Sequence, residues 1–176
     1  MMKKKLFALL SVLCTASLAG ATTISFEDEG TTIITTPGSV VNLNIVTDGP
    51  LDFLYVIASV EGDVSITGAI GIDDAAAYGW DPSLSFDPLI TGNTAEIGMA
   101  LFGSSNGGPV VGYVEVTYGS GTVFVSGCAP PPPGFWIDIY PPPYPVFSSS
   151  VVTIIPEPAA IVLLGLGALA LLRRRK

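Results

Sequence analysis

Through most of the chain, hydrophobic and polar positions alternate in short runs that are interrupted by Gly, Pro, Asn and Asp. Val41, Leu43 and Ile45 alternate with Asn42, Asn44 and Val46 ahead of an Asp48-Gly49-Pro50 turn. A period close to two marks a strand with one wet face. The run from Phe53 to Ala58 is almost wholly apolar, as expected of a strand covered on both faces. Further strands are predicted over 31–36, 64–72, 95–102, 110–118, 122–126 and 146–155. A turn at Gly119-Ser120-Gly121 is expected to fold 110–118 and 122–126 into a hairpin. Between the two ends of the chain no stretch repeats every 3.6 residues, although 73–78 has room for a single helical turn. Roughly seven to ten short strands in one unit point to an all-β antiparallel β-sandwich. No fixed repeat of solenoid length appears.

The two ends follow other patterns. Met1 to Lys5 are basic at three positions, 6–18 is apolar, and Ala19-Gly20-Ala21 supplies small residues where a signal peptidase reads. This predicts a signal peptide over 1–21, cut after Ala21, with the export machinery and signal peptidase as first partners. At the other end Pro156-Glu157-Pro158 precedes fourteen uncharged residues, 159–172, and then Arg173, Arg174, Arg175 and Lys176. Proline fixes φ and removes a backbone donor, so no strand is expected to run through the motif, which should lie extended and open to an enzyme. The apolar run predicts a short transmembrane helix with its basic end held in the cytoplasm. At ~1.5 Å per residue it reaches roughly 21 Å, short of a ~30 Å hydrocarbon core, which suits a transient tether.

That combination of motif, short helix, basic end and terminal position resembles the PEP-CTERM sorting signal of envelope-bearing bacteria. The resemblance covers 156–176. It implies that an exosortase, a membrane transpeptidase-like enzyme, recognises Pro156, Glu157 and Pro158, with Arg173 to Arg175 as the stop. It also implies the background of exopolysaccharide and biofilm matrix in which such proteins occur. The central region, 22–155, has a slight resemblance to cohesin-type and other Ig-like sandwiches. That likeness rests on Thr36-Pro-Gly-Ser-Val-Val-Asn-Leu-Asn-Ile followed by Asp52-Phe-Leu-Tyr-Val.

Charge narrows the function further. Between residues 22 and 155 there are 14 acids and no Lys or Arg, and the whole chain has no His. Such a surface cannot neutralise a phosphate backbone, so no nucleic acid partner is expected. Histidine-based catalysis and histidine metal sites are excluded. No carboxylate pair can be assigned to a hydrolase site, and no Gly-rich phosphate loop or nucleophile elbow occurs. The expectation is a protein that is not an enzyme, without a cofactor.

Three features remain as candidates. The Pro-rich stretch 129–145 should form stiff polyproline II segments around Phe135 and Trp136, which with Trp80 are candidate contacts for a sugar or a partner protein. Packing of Trp136 back onto the sandwich is the competing arrangement. Asp73 and Asp74, with Asp81 and Asp87, offer carboxylates to calcium, although no calcium-loop motif is present. Cys14 leaves with the leader, so Cys128 is expected to be an inert or buried thiol or to bond to another molecule. The expected role is an exported surface or matrix protein with a structural or adhesive β module. The alternative is a displayed binding module.

Overall fold

The structure is a computed structural model that describes residues 22–101, 109–131, 144–148 and 151–157. The expected leader over 1–21 and the segment 158–176, including the expected membrane helix, lie outside the described residues. So do Phe135 and Trp136.

Among the described residues nine strands form: β1 Thr23–Phe26, β2 Thr32–Thr35, β3 Val40–Thr47, β4 Phe53–Ala69, β5 Phe86–Thr91, β6 Thr94–Ala100, β7 Val110–Cys128, β8 Val146–Phe147 and β9 Val151–Pro156. A short helix, α1 (Ile72–Ala75), continues into a 3-10 turn over Ala76–Tyr78, where a single turn is expected. The backbone pairing runs β5-β6-β4-β7-β3-β1-β8, and β9 joins β7 to β2.

The long strands β4 and β7 organise the fold. The first half of β4 pairs with the last part of β7, from Ile57↔Cys128 to Glu61↔Phe124, and its second half pairs with the first part, from Val64↔Tyr118 to Ala69↔Val114. Between these stretches the register shifts at Glu61/Asp63 and Asp63/Val64. Bulges and bends of this kind let strands pass from one sheet of a sandwich into the other. One layer therefore holds β5, β6, the start of β4, the end of β7, β9 and β2. The other holds the end of β4, the start of β7, β3, β1 and β8.

The corner is built from particular residues. Gly62 sits at φ 104°, and a Cβ there would lie 2.8 Å from Val123 Cγ1 and 3.0 Å from the Thr122 carbonyl. Gly121 is also left-handed, at φ 73°. The Tyr118 hydroxyl, fully buried, donates to the Gly121 carbonyl at 2.6 Å. Ser120 donates to the Asp63 carboxylate at 2.6 Å across the bend.

Several expectations change here. The hairpin at Gly119–Gly121 does not form, because both flanks pair with the same long neighbour, β4, and the glycines bend the strand instead of reversing it. For the same reason 53–58 and 64–69 are one strand, while the expected run to 72 stops at Ala69 and Ile72 opens α1. The stretch 146–155 divides into β8 and β9, which pair with different neighbours. β1 and β5 fall outside the predicted set. The sequence of β5, FDPLIT, carries a proline and does not alternate. The sandwich is not purely antiparallel, since β1 with β8 and β2 with β9 are parallel pairs.

The core lies between the layers. Ile24, Leu43, Ile45, Val56, Ala58, Ile97, Val114, Val116, Val125 and Ile154 are all fully buried. They alternate along their strands as a two-residue period requires. Phe53 to Ala58 is covered less evenly than its composition implies: Phe53, Leu54, Val56 and Ala58 are buried, while Tyr55 and Ile57 are partly exposed. A smaller cluster of Phe53 and Ala100, with Tyr55, Leu84 and Tyr144 against it, covers the outer face there.

The register also gives the unit two distinct ends. β4 begins and β7 finishes near one end, which also holds Leu101, Pro131 and Tyr144. At that end Tyr144 packs on Phe53 with ring centroids 6.1 Å apart. β9 runs the other way along β7, from Val151↔Ser126 to Ile154↔Val123. β9 therefore ends on the side opposite Tyr144.

Candidate functional site

The C-terminal motif begins inside the fold. Thr153 and Glu157 donate their backbone N–H groups to the carbonyls of Thr31 at 3.2 Å and Thr35 at 3.1 Å. Alternate residues of β9 thus face β2, and the N–H groups of 154 and 156 point to the other side. On that side β7 pairing stops at Ile154, so at Pro156 the missing N–H has no partner to lose. This is why a proline can occupy a strand whose last rungs lie at a free edge. Pro156 pairs with Thr35, correcting the expectation that the motif excludes strand structure. Its surface is still open, because Pro156 and Glu157 are exposed. Pro158, Arg173, Arg174 and Arg175, and the leader residues Ala19 and Ala21, lie outside the described residues.

Trp80 is in the core. It is 2% exposed, and its indole N–H donates to the Val111 carbonyl at 2.7 Å. It offers no face to a sugar, and its role as a ligand contact is withdrawn. A buried tryptophan needs a partner for its single donor, and the bulge between Ile45 and Val46 where β3 meets β7 lies beside that carbonyl.

The carboxylates have neighbours of their own. Asp74 accepts from the Tyr113 hydroxyl at 2.6 Å, Asp87 from the Ile72 N–H at 3.2 Å, and Asp81 from the Ser83 N–H and hydroxyl at 2.8 and 2.7 Å. Elsewhere Asp48 accepts from the Thr23 N–H, Glu27 from the Asn44 amide, Glu115 from Thr67, and Glu96 from Tyr55. With no Lys or Arg between 22 and 157, hydroxyl, amide and N–H donors take the place of ion pairs. Asp73, next to Asp74 in α1, is exposed. Among the described residues no group of three or more His, Cys, Asp or Glu is arranged to hold a metal ion. Cys128, the last residue of β7, is half-buried.

These hydrogen bonds move proton affinities. The bond to Asp74, then burial, pushes the Tyr113 hydroxyl up to about 12. Burial, then the Glu96 carboxylate, raises Tyr55 further still. The Ser83 donors hold Asp81 below the usual carboxylate range. An unfolded tyrosine ionises near ~10, so the Tyr113 contribution is fully present below that pH and is lost as pH rises toward about 12. Thermal stability is accordingly expected to fall across this alkaline window, and to fall less steeply in Tyr113→Phe. Melting temperatures measured alongside tyrosinate absorbance check it. Equal slopes in the two proteins would show that Tyr113 is not coupled to folding.

The exposed apolar surface concentrates on the edge strand β5, where Leu89 is 63% and Phe86 48% exposed, with Ile90 at 38%. Sequence patterning missed this edge because apolar residues there resemble core. Only the absence of a second neighbour strand among the described residues reveals them as surface.

Comparison with known proteins places two parts of the chain. Residues 155–176 match the PEP-CTERM protein-sorting motif. A search of curated proteins by sequence finds no match. By structure, the chain is similar to cohesin modules. A non-cellulosomal cohesin from Archaeoglobus fulgidus aligns with TM-score 0.51 at 13% identity, covering 83% of this chain and 98% of that one. The sixth cohesin of an Acetivibrio cellulolyticus scaffoldin, solved in complex with a dockerin, aligns at 0.52 and 11%, covering 78% and 99%. A type III cohesin from a cell-surface anchoring scaffoldin of Ruminococcus flavefaciens aligns at 0.51 and 12%, covering 78% and 88%. At such identities the likeness is one of fold alone.

Proposed function

We propose that this chain is an exported surface protein, a non-catalytic β-sandwich delivered by a signal peptide over 1–21 and sorted by an exosortase acting at Pro156-Glu157-Pro158. The observation that carries the reading is the sorting motif at 155–176, joined without a linker to the last strand of a folded domain. A short apolar helix over 159–172 holds the intermediate in the inner membrane, and the basic residues Arg173 to Arg175 mark its cytoplasmic end. Because β9 ends opposite Pro131 and Tyr144, a tethered molecule turns these two flanks of the Pro-rich stretch away from the membrane. The mature module serves the envelope or an exopolysaccharide matrix as a structural or adhesive unit. It works without a cofactor, and equilibrium dialysis is expected to find no calcium held by Asp73 and Asp74.

A second reading, a protein-binding module, is favoured by the apolar edge at Leu89 and Ile90. The cohesin fold supports it too, since one such neighbour was solved with a dockerin. Large apolar side chains left exposed on an edge strand are a frequent mark of a binding face.

The test is intact mass of envelope and medium fractions from a host that carries the sorting system. Wild type is expected to lose both 1–21 and the basic tail. A variant with Pro156, Glu157 and Pro158 all changed to Ala is expected to keep the tail. An intact C-terminus in both strains would reduce the segment to an ordinary anchor.

A further inference from the structure

We infer that β2 is a strap that governs access to the sorting motif, so that tail processing proceeds through local release of β2 from β9. The inference rests on the reading of Pro156–Pro158 as the processed motif, and concerns how the folded domain presents it.

Four observations carry it. Among the described residues β2 has one partner strand, β9, and it is only four residues long. The pairing extends past the end of the domain core: Ile34↔Ile155 and Thr35↔Pro156 continue after the β7 contacts have stopped at Ile154. The Glu157 N–H is bonded to the Thr35 carbonyl at 3.1 Å, so two motif residues are tied to the domain by β2. Finally, β2 is weakly held, because Ile33 is its only apolar side chain packed against the core and Ile34 is 54% exposed.

A processing enzyme must thread an extended peptide through its site, and a peptide hydrogen-bonded into a sheet cannot enter. The observed rate then scales with the fraction of molecules in which the strand pair is open. Edge elements with few buried contacts open locally at far lower cost than the whole domain. β2 meets that description, and β9, held between β7 and β2 through Ile154, does not. Release of β2 alone frees 155–157 and leaves the sandwich folded.

The experiment uses the full-length chain. Amide hydrogen exchange at Glu157, in purified protein in detergent, reports the strap without any enzyme. Pulse–chase of tail loss in the host reports processing. Ile33→Asn is expected to abolish Glu157 protection and to speed tail loss on the order of tenfold. Leu43→Ala, a core change in the other layer, is expected to leave both unchanged although it lowers global stability. Should Ile33→Asn fail to accumulate, Ile34→Cys with Ile155→Cys gives the opposite test: a cross-link between these paired residues should slow tail loss, with recovery on reduction.

An unprotected Glu157 amide in wild type would overturn the strap outright. So would equal tail-loss rates in wild type, Ile33→Asn and the cross-linked variant. If the triple-alanine variant is trimmed at the wild-type rate, the motif reading itself fails and the strap falls with it. Trimming blocked in that variant but unchanged in the β2 variants refutes only the strap.

Discussion

Gly127→Ala is expected to destabilise the sandwich by about 2–4 kcal/mol, a large effect for a single methyl group. A Cβ at this position would stand 2.3 Å from Phe147 Cζ and 2.5 and 2.6 Å from its Cε atoms. No real contact is that short, and the ring has little freedom to retreat. Phe147 is 2% exposed and packs edge-on against Phe26, centroids 5.2 Å apart. Its strand, β8, is two residues long and is held by parallel pairing with β1. Displacing the ring therefore strips the edge from β1, whose Ile24 and Phe26 are core. A double-mutant cycle isolates the cause. Phe147→Ala alone should cost about 3–5 kcal/mol by opening a cavity. In that background Gly127→Ala should cost almost nothing, because the methyl group then enters vacant space. Additive costs in denaturant melts would show that the glycine is needed for backbone reasons instead.

Trp80→Ala is expected to cost about 3–5 kcal/mol, with a fall in Tm of roughly 10 °C or more. Trp80 fills the space beneath the helical segment and donates to the Val111 carbonyl at 2.7 Å. Trp80→Phe separates the two contributions. It keeps much of the apolar volume but leaves a buried carbonyl unpartnered, at a cost of about 1–3 kcal/mol. Spectroscopy makes the same point without loss of stability. The chain has two tryptophans, so Trp136→Phe leaves Trp80 as the sole indole reporter. Its emission should be that of a buried ring and should not be quenched by added polysaccharide. Quenching would return Trp80 to the surface and overturn its placement in the core.

The strands themselves were largely legible in the sequence. Alternation at Val41, Leu43 and Ile45 marks β3, and apolar runs mark β4, β6 and β7, because a period of two follows from strand geometry at each residue. The tail motif was equally plain, since its signal lies in the order of residue types along one short segment. So was the domain without cations: a count of Lys and Arg decides it, and hydroxyl and amide donors on the strands then meet the carboxylates.

Partnership was decided only in three dimensions. Gly119-Ser120-Gly121 reads as a reversal, yet becomes a bend because β4 is long enough to pair on both sides of it. Trp80 reads as a ligand contact, and the carbonyl of Val111 on a distant strand, which accepts from its indole N–H, holds it in the core. Pro156 reads as a strand breaker, but its missing N–H falls on the side where β7 has ended, and Thr35 supplies the partner for the next residue. In each case local chemistry sets what a residue can do. Which option is taken depends on a strand many residues away in the chain, brought alongside by burial of the shared core, and no local pattern records that neighbour.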